Sequence, residues 1–277
     1  MSNTATVLAF DFGASSGRAI RAVYDGQNLT YEEIHRFENV PIEKGGHLFW
    51  DVETLLKEIH TAIQKAGTFD SLGFDTWGVD FGLLDTDGHL LANPVHYRDA
   101  RTNGKPEQAA ACMPAEELYA HTGNQIMAIN TLFQLLALQE QEPELLQKAE
   151  QILFMPDLFA ALLGAEPVCE RSIASTSQML DPRTGQWSRE VLTAYGLKEN
   201  HFAPLVASGT VTGTLTTGAK IIAVAGHDTQ CASAAMPCAE EDAEHTAFLS
   251  CGTWSLLGTE LDAPILTADS CQSGLSN

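Results

Sequence analysis

The sequence predicts an α/β fold, and three observations carry that prediction. Short apolar runs of strand length alternate with Gly- and Asp-containing turns over the first 40 residues. An amphipathic helical pattern follows, and helix-like segments then dominate from roughly residue 105 to 200. Finally, a unit of strand, small-residue turn and strand near the start returns near the end, which suggests two related domains opened by the same hairpin.

Taken in order, Val7-Leu8-Ala9-Phe10 is a strand ending in Asp11. Gly13-Ala14-Ser15-Ser16-Gly17 is a turn, Arg18 to Tyr24 a second strand, Asp25-Gly26 a hairpin turn, and Leu29 to Phe37 a third strand. Asp51 caps a helix on which Val52, Leu55, Leu56, Ile59 and Ile63 fall at helical spacing, with Gly67 at its stop. Ser71 to Phe74 forms a strand, followed by Asp75-Thr76-Trp77-Gly78-Val79-Asp80. Phe81 to Leu84 and His89 to Ala92 flank Thr86-Asp87-Gly88 as a further hairpin. Helices are expected after Asn130, from Pro143, from Pro156 to Leu163 and from Trp187 to Tyr195. An apolar strand returns at Ile221–Ala225, then Gly226-His227-Asp228-Thr229. Thr246 to Leu249 and Trp254 to Glu260 are strands around Ser250-Cys251-Gly252-Thr253.

Charge narrows the function classes. With 15 Lys and Arg against 36 Asp and Glu in 277 residues, the net charge is −21. Nucleic-acid backbones and anionic membrane surfaces need cationic patches, so neither is an expected partner. No apolar run reaches membrane-spanning length, and the first residues lack the pattern of a signal peptide. The six cysteines are scattered without zinc-like spacing, which reads as free, mostly buried thiols in a reducing, cytoplasmic setting.

Several segments carry chemistry. A Gly/Ser hairpin brings backbone N–H groups and hydroxyls together, and two facing hairpins would grip a polyphosphate; each alone is also an ordinary turn. A carboxylate at a strand end, such as Asp11, can hold Mg²⁺, or is simply a turn-forming Asp. Asp228 reads equally as a general base beside a helix start or as a helix N-cap. Thr76-Trp77-Gly78-Val79-Asp80, with Asp75, mixes aromatic and acid groups as sugar sites do, or is a turn with a core Trp. Tyr97-Arg98-Asp99-Ala100-Arg101 either binds polar substrate groups or forms an exposed salt-bridge patch. Gly213–Lys220 fails as a Walker A loop, since Ala219 stands where the lysine belongs. No GxSxG elbow or HExxH occurs, and no GxGxxG follows the first strand.

Phe10-Asp11-Phe12-Gly13-Ala14-Ser15-Ser16-Gly17-Arg18 resembles the first phosphate motif of the FGGY carbohydrate kinases. The resemblance continues through Trp50-Asp51-Val52, Asp75–Phe81, Tyr97–Asn103, Met155-Pro156-Asp157, His227-Asp228-Thr229 and Gly252-Thr253-Trp254-Ser255-Leu256, in order along the chain. It implies the actin-like, ribonuclease H-like ATPase fold. It also implies transfer of the ATP γ-phosphate to the 1-hydroxyl of L-rhamnulose, with ATP and Mg²⁺ as cofactors. By resemblance, Ala14, Ser15, Ser16, Gly17 and Arg18 would form the first ATP loop and Thr253 would lie in the second. Gly78, His227, Asp228 and Thr229 would contact the sugar. Asp228 would be the catalytic base, and Asp11 would serve Mg²⁺. Gly226 and Cys251 depart from the pattern, standing where serine is expected.

The resemblance divides the chain into a sugar-binding N-terminal domain, 1–244, and the opening hairpin of an ATP-binding C-terminal domain, 245–277, without the adenine-binding Gly-rich motif. Truncation within that second domain is therefore expected. Two alternatives stand beside the kinase reading: an inactive sugar-binding fragment, and a kinase for another ketose such as fuculose or xylulose.

Overall fold

In the computed structural model, which describes residues 4–239, 242, 245–251 and 255–277, a six-stranded mixed sheet forms the centre. Its first three strands are β1 (Ala5–Phe12), β2 (Ser16–Tyr24) and β3 (Leu29–Glu38), an antiparallel meander as the sequence predicts. After the small hairpin β4 (Ile42–Lys44) and β5 (His47–Phe49), helix α1 (Val52–Ala66) crosses back over the sheet. Asp51 caps it by accepting from the Thr54 amide, and Gly67 ends it at φ 66°. Strand β6 (Ser71–Thr76) then lies parallel to β1.

Strand β7 (Phe81–Leu84) does not form the expected ladder with residues 89–92; one bridge, Leu84 to Leu90, joins those segments. Its ladder partner is β8 (Gln151–Phe154), far away in sequence. Between them run α2 (Lys105–Ala109), α3 (Ala115–Thr122), α4 (Thr131–Gln141) and α5 (Pro143–Lys148). Helix α6 (Met155–Leu162) follows, with Gly164 at φ 96° beyond it. The region read as mainly helical also holds short strands, β9 (Cys169–Glu170), β10 (Leu180–Asp181), β11 (Gln186–Trp187) and β12 (Leu205–Val206), among α7 (Arg171–Ser175) and α8 (Arg189–Ala194). Trp187 belongs to a strand, so the predicted helix begins two residues late.

The antiparallel pair β13 (Thr210–Thr214) and β14 (Lys220–Ala223) completes the sheet in the order β13-β14-β6-β1-β2-β3, with β14, β6 and β1 parallel. The failed Walker segment is the turn of this hairpin: Leu215 and Ala219 pair across it. Helix α9 (Asp228–Ala234), the two-stranded pair β15 (Ala247–Cys251) and β16 (Ser255–Thr259), and α10 (Ala268–Ser273) end the described chain. No described helix is long and apolar enough to cross a membrane.

Alternation in β1 sets the two faces of the sheet. Leu8, Phe10 and Phe12 are fully buried while Ala9 is exposed. On the buried face Phe10 stacks on Phe74 at 4.8 Å and Phe12 on Phe159 of α6 at 4.8 Å, while Phe37 meets Phe12 edge-on at 5.3 Å. Asp11, of opposite parity, leaves the sheet on the other face. Of the six cysteines only Cys169 is buried; Cys112, Cys238 and Cys251 are exposed, which corrects the expectation of mostly buried thiols.

Candidate active site

The parallel strands β1, β6 and β14 deliver their C-terminal ends to one edge of the sheet, the usual ligand position in open α/β sheets. Asp11 of β1 and Asp75 of β6 are register partners there. One residue further, Thr76 bridges to His227, and the Thr76 amide donates to the Gly226 carbonyl at 2.9 Å. Backbone pairing therefore brings Gly226-His227-Asp228 beside the two strand-end acids. Asp75 feels the result: burial, then the Asp11 and Asp228 carboxylates, push its carboxyl up to about 8. Nearby on α9, the Cys231 thiol donates to the Ala225 carbonyl at 2.8 Å and is itself pushed up to about 12, chiefly by burial.

The first Gly/Ser hairpin sits next to this cluster. Its turn closes by a Gly13 amide to Ser16 carbonyl bond of 2.8 Å, and Asn39 braces it through its own amide to Ser15 O and its side chain to Gly13 O. Ser15 is exposed, whereas Ala14 and Ser16 are half-buried. Gly17 is a glycine for packing reasons: a Cβ there would overlap the Phe37 ring. Arg18 turns back onto Asp11, its Nε donating to Oδ2 at 2.8 Å. Arg18 is thus engaged by an acid that a phosphate would compete with.

His227 caps α9 through its extended backbone, and Asp228 is the first helical residue. The alternative reading of Asp228 as a side-chain N-cap is not realised. Its Oδ1 accepts from the Thr229 amide at 2.6 Å and from Thr229 Oγ1 at 3.2 Å, with His227 Nε2 at 3.4 Å. The Asp228 side chain remains 42% exposed. Burial holds the His227 imidazole below its ordinary range, against the pull of Asp228 and Glu170.

Of the turn after β6, Gly78 is half-buried and packs against Thr176; a Cβ would stand 3.0 Å from Thr176 Cγ2. Val79 follows at φ 70°, a left-handed conformation that costs a β-branched residue energy. The turn is held by the Val79 amide donating to Thr176 Oγ1 at 3.0 Å and by Thr131 Oγ1 donating to Val79 O at 2.6 Å. Trp77 and Asp80 do not offer themselves to a sugar. Asp80 is fully buried and accepts from Trp50 Nε1 (2.6 Å), Trp77 Nε1 (3.0 Å), the Tyr97 amide (3.1 Å) and Gln134 Nε2 (2.8 Å), while Trp77 lies against Trp50 at 3.9 Å. In the Tyr97–Arg101 cluster, Asp99 is buried and fixes local backbone, accepting from the Leu48 and Arg101 amides; Arg98 is exposed over the Tyr97 ring at 5.3 Å.

The donor set fits Mg²⁺ in character. Hard carboxylate oxygens lie near one another, and Asp11 and Asp228 add to the proton affinity of Asp75, which a cation would relieve. Among the described residues, only Asp85, Asp87 and His89 gather ligand atoms within 4.8 Å of one another. Asp11, Asp75 and Asp228 thus do not close a cage by themselves, which suits an ion held by one or two carboxylates plus substrate phosphates and water. The family resemblance gave Asp11 to Mg²⁺, Ala14–Arg18 to phosphate and Gly78 and His227–Thr229 to the sugar; the structure sets Asp11 and Asp75 in register at the strand ends, with Gly226 and His227 joined to Thr76 beside them, and sequence reasoning did not single out Asp75 as a partner of Asp11. Thr253, proposed for the second phosphate loop, lies outside the described residues.

A model of the FGGY family of carbohydrate kinases, N-terminal domain, matches residues 6–234, and the chain belongs to that family. It is 42% identical over 275 residues to the rhamnulokinase of Bacteroides thetaiotaomicron, covering 95% of this chain and 56% of that protein. Among solved structures, the ligand-bound xylulose kinase of Lactobacillus acidophilus superposes with a TM-score of 0.81 at 17% identity, over 96% of this chain and 56% of that one. A carbohydrate kinase from Novosphingobium aromaticivorans gives 0.77 at 21% identity, over 97% and 58%. The fold is accordingly the actin-like, ribonuclease H-like ATPase fold, and the chain spans about half the length of these relatives.

Proposed function

We propose that this chain supplies the ketose-binding half of an ATP-dependent kinase that phosphorylates the 1-hydroxyl of L-rhamnulose, working in the cytoplasm. Residues 1–244 form the sugar-binding domain and 245–277 open the ATP-binding domain. The observation that carries this reading is the meeting of Asp11, Asp75 and Asp228 beside the Gly13–Gly17 hairpin, in a chain 42% identical to a rhamnulokinase.

Asp228 is the base. It stands at a helix start, partly exposed, with Thr229 fixing one oxygen, and accepts the proton of the attacking hydroxyl. Gly78, His227 and Thr229 orient the sugar. The hairpin amides and Ser15 receive phosphate oxygens, together with Arg18 released from Asp11 and with Thr253. Asp11 is the residue that would hold Mg²⁺, whose role when bound is to neutralise phosphate charge. Positioning and electrostatics supply most of the rate in this chemistry.

A coupled assay for ADP release, run with a panel of ketoses on this chain alone and on this chain joined to a complete ATP-binding half, tests the proposal. The expected result with both halves present is turnover of L-rhamnulose ahead of fuculose and xylulose. Preference for another ketose corrects the substrate. Absent turnover with sugar binding retained by calorimetry turns the reading to a non-catalytic sugar binder.

A further inference from the structure

Glu170 is 1% exposed, yet it is a carboxylate. Burying such a group is costly unless donors satisfy it. Five do. Oε2 accepts from the Ser172 amide (3.0 Å), Ser172 Oγ (2.6 Å), the Ile173 amide (3.2 Å) and the Gly226 amide (3.0 Å), and Oε1 accepts from Ser208 Oγ (2.6 Å). Two of the five come from distant segments. The Gly226 amide is the informative one, because Gly226 precedes the His227-Asp228 pair.

The Gly226 residue is gripped on three sides. Its N–H is held by Glu170 and its carbonyl by the Thr76 amide. Its Cα has no room for a side chain, since a Cβ would stand 2.9 Å from Pro156 Cγ and 3.2 Å from Ile173 Cβ. Ser172 Oγ, which donates to Glu170, also lies 3.5 Å from the next amide, that of His227. Glu170 is in turn held in place by Asp157, whose Oδ2 accepts from the Glu170 amide at 3.1 Å.

We infer that Glu170 is a positioning residue for the His227–Asp228 pair: through Gly226 and Ser172 it sets the direction in which the chain enters α9 and hence where the Asp228 carboxylate stands. Its side chain is bonded to the Gly226 backbone and not to the Asp228 side chain. A glutamine at this position keeps the shape and can turn its NH2 toward Ser208 Oγ, which accepts by rotating its hydroxyl, but its neutral carbonyl holds the four remaining donors more weakly than a carboxylate does.

The test is residue-resolved amide hydrogen exchange on Glu170→Gln, with Ser208→Ala as the comparison. Exchanging a charged acceptor for a neutral one in a buried hydrogen bond changes an equilibrium by about tenfold. Exchange at Gly226 and His227 should therefore quicken by about that factor in Glu170→Gln, while Leu8 and Phe10 of β1 stay protected. Ser208→Ala, which touches only the far oxygen, should leave residues 226–229 unchanged. A purely structural role predicts instead a uniform acceleration including β1, or no local change, and either overturns the inference. If Glu170→Gln does not fold, Ser172→Ala decides it by acceleration confined to His227 and its neighbours; unchanged protection there refutes the role. A second arm rests on the ketose-kinase reading: the affinity for L-rhamnulose should fall about tenfold in Glu170→Gln at little change in melting temperature. Absence of L-rhamnulose binding by the wild type would count against that reading alone, because the exchange arm uses no ligand.

Discussion

Asp11 and Asp75 occupy partnered positions at the ends of parallel strands β1 and β6 and leave the sheet on the same face. Two acids so placed, with Asp228 nearby and little water around Asp75, cannot all ionise cheaply. Asp75 absorbs the strain by holding its proton to about pH 8. The folded state therefore binds a proton that the unfolded chain releases near pH 4. Stability tied to this group is complete below that pH and is lost as pH rises through about 8. Asp75→Asn removes the loss. Thermal melts should show the variant gaining on wild type by several degrees at pH 8.5, on the order of 2–3 kcal/mol, with little difference at pH 4. A constant offset across that range would contradict this account.

A second pH signature comes from the aromatic wall. Asp80 is pushed up to about 6 by burial, against the donors that surround it, and His96 is pushed down to about 4, also mainly by burial. His96 Nδ1 accepts the Arg98 amide at 3.0 Å, which requires the neutral ring on that side. The signs oppose. Asp80 loses stability as pH rises from about 4 to 6, whereas His96 loses it as pH falls from 6.5 to about 4. Relative to wild type, Asp80→Asn should fare better at pH 7 than at pH 4.5, and His96→Phe better at pH 4.5 than at pH 7. Parallel curves for the two variants would show that neither group titrates as described.

Asp80 also has a large fixed cost. Asp80→Ala strands two indole N–H groups and the Tyr97 amide, and removes one acceptor of Gln134 Nε2, in a fully buried site. Urea unfolding should register a loss of about 3 kcal/mol or more. A loss within 0.5 kcal/mol of zero, typical of a surface substitution, would mean those donors find other partners.

At the phosphate hairpin, Gly17→Ala forces a methyl into the Phe37 ring. Overpacking of this kind costs about 1–3 kcal/mol. In a double-mutant cycle, Phe37→Leu should recover much of that loss, because a smaller side chain vacates the space. Simple additivity would mean that the glycine serves the loop and not the packing.

Much of this was legible in the sequence where the signal is local. The meander from Ala5 to Glu38 follows from short apolar runs and turn residues, and α1 from the Asp51 cap and 3.6-residue spacing. The strand-end acids Asp11 and Asp228 and the Gly/Ser hairpin also announced themselves, and the family resemblance named Gly78 and His227–Thr229 as sugar contacts. What stayed hidden depends on contacts distant in sequence. The pairing of Phe81 with Phe154, which replaced the expected local hairpin, joins segments with no turn between them. Glu170 sits in a two-residue strand with no motif around it, and only the fold brings Gly226 to its carboxylate. Asp80 looked like a sugar ligand because its two tryptophan partners, Trp50 and Trp77, could not be read as partners before their packing was known.

The central claim is that Asp228 takes the proton of the ketose hydroxyl, and ADP release from MgATP with L-rhamnulose, compared between wild type and Asp228→Ala, tests it most directly. In a chain that carries a complete ATP-binding half as well, turnover is expected with Asp228 intact and a fall of at least about a hundredfold on loss of the base, with L-rhamnulose binding largely retained. Turnover in Asp228→Ala near the wild-type rate would contradict it.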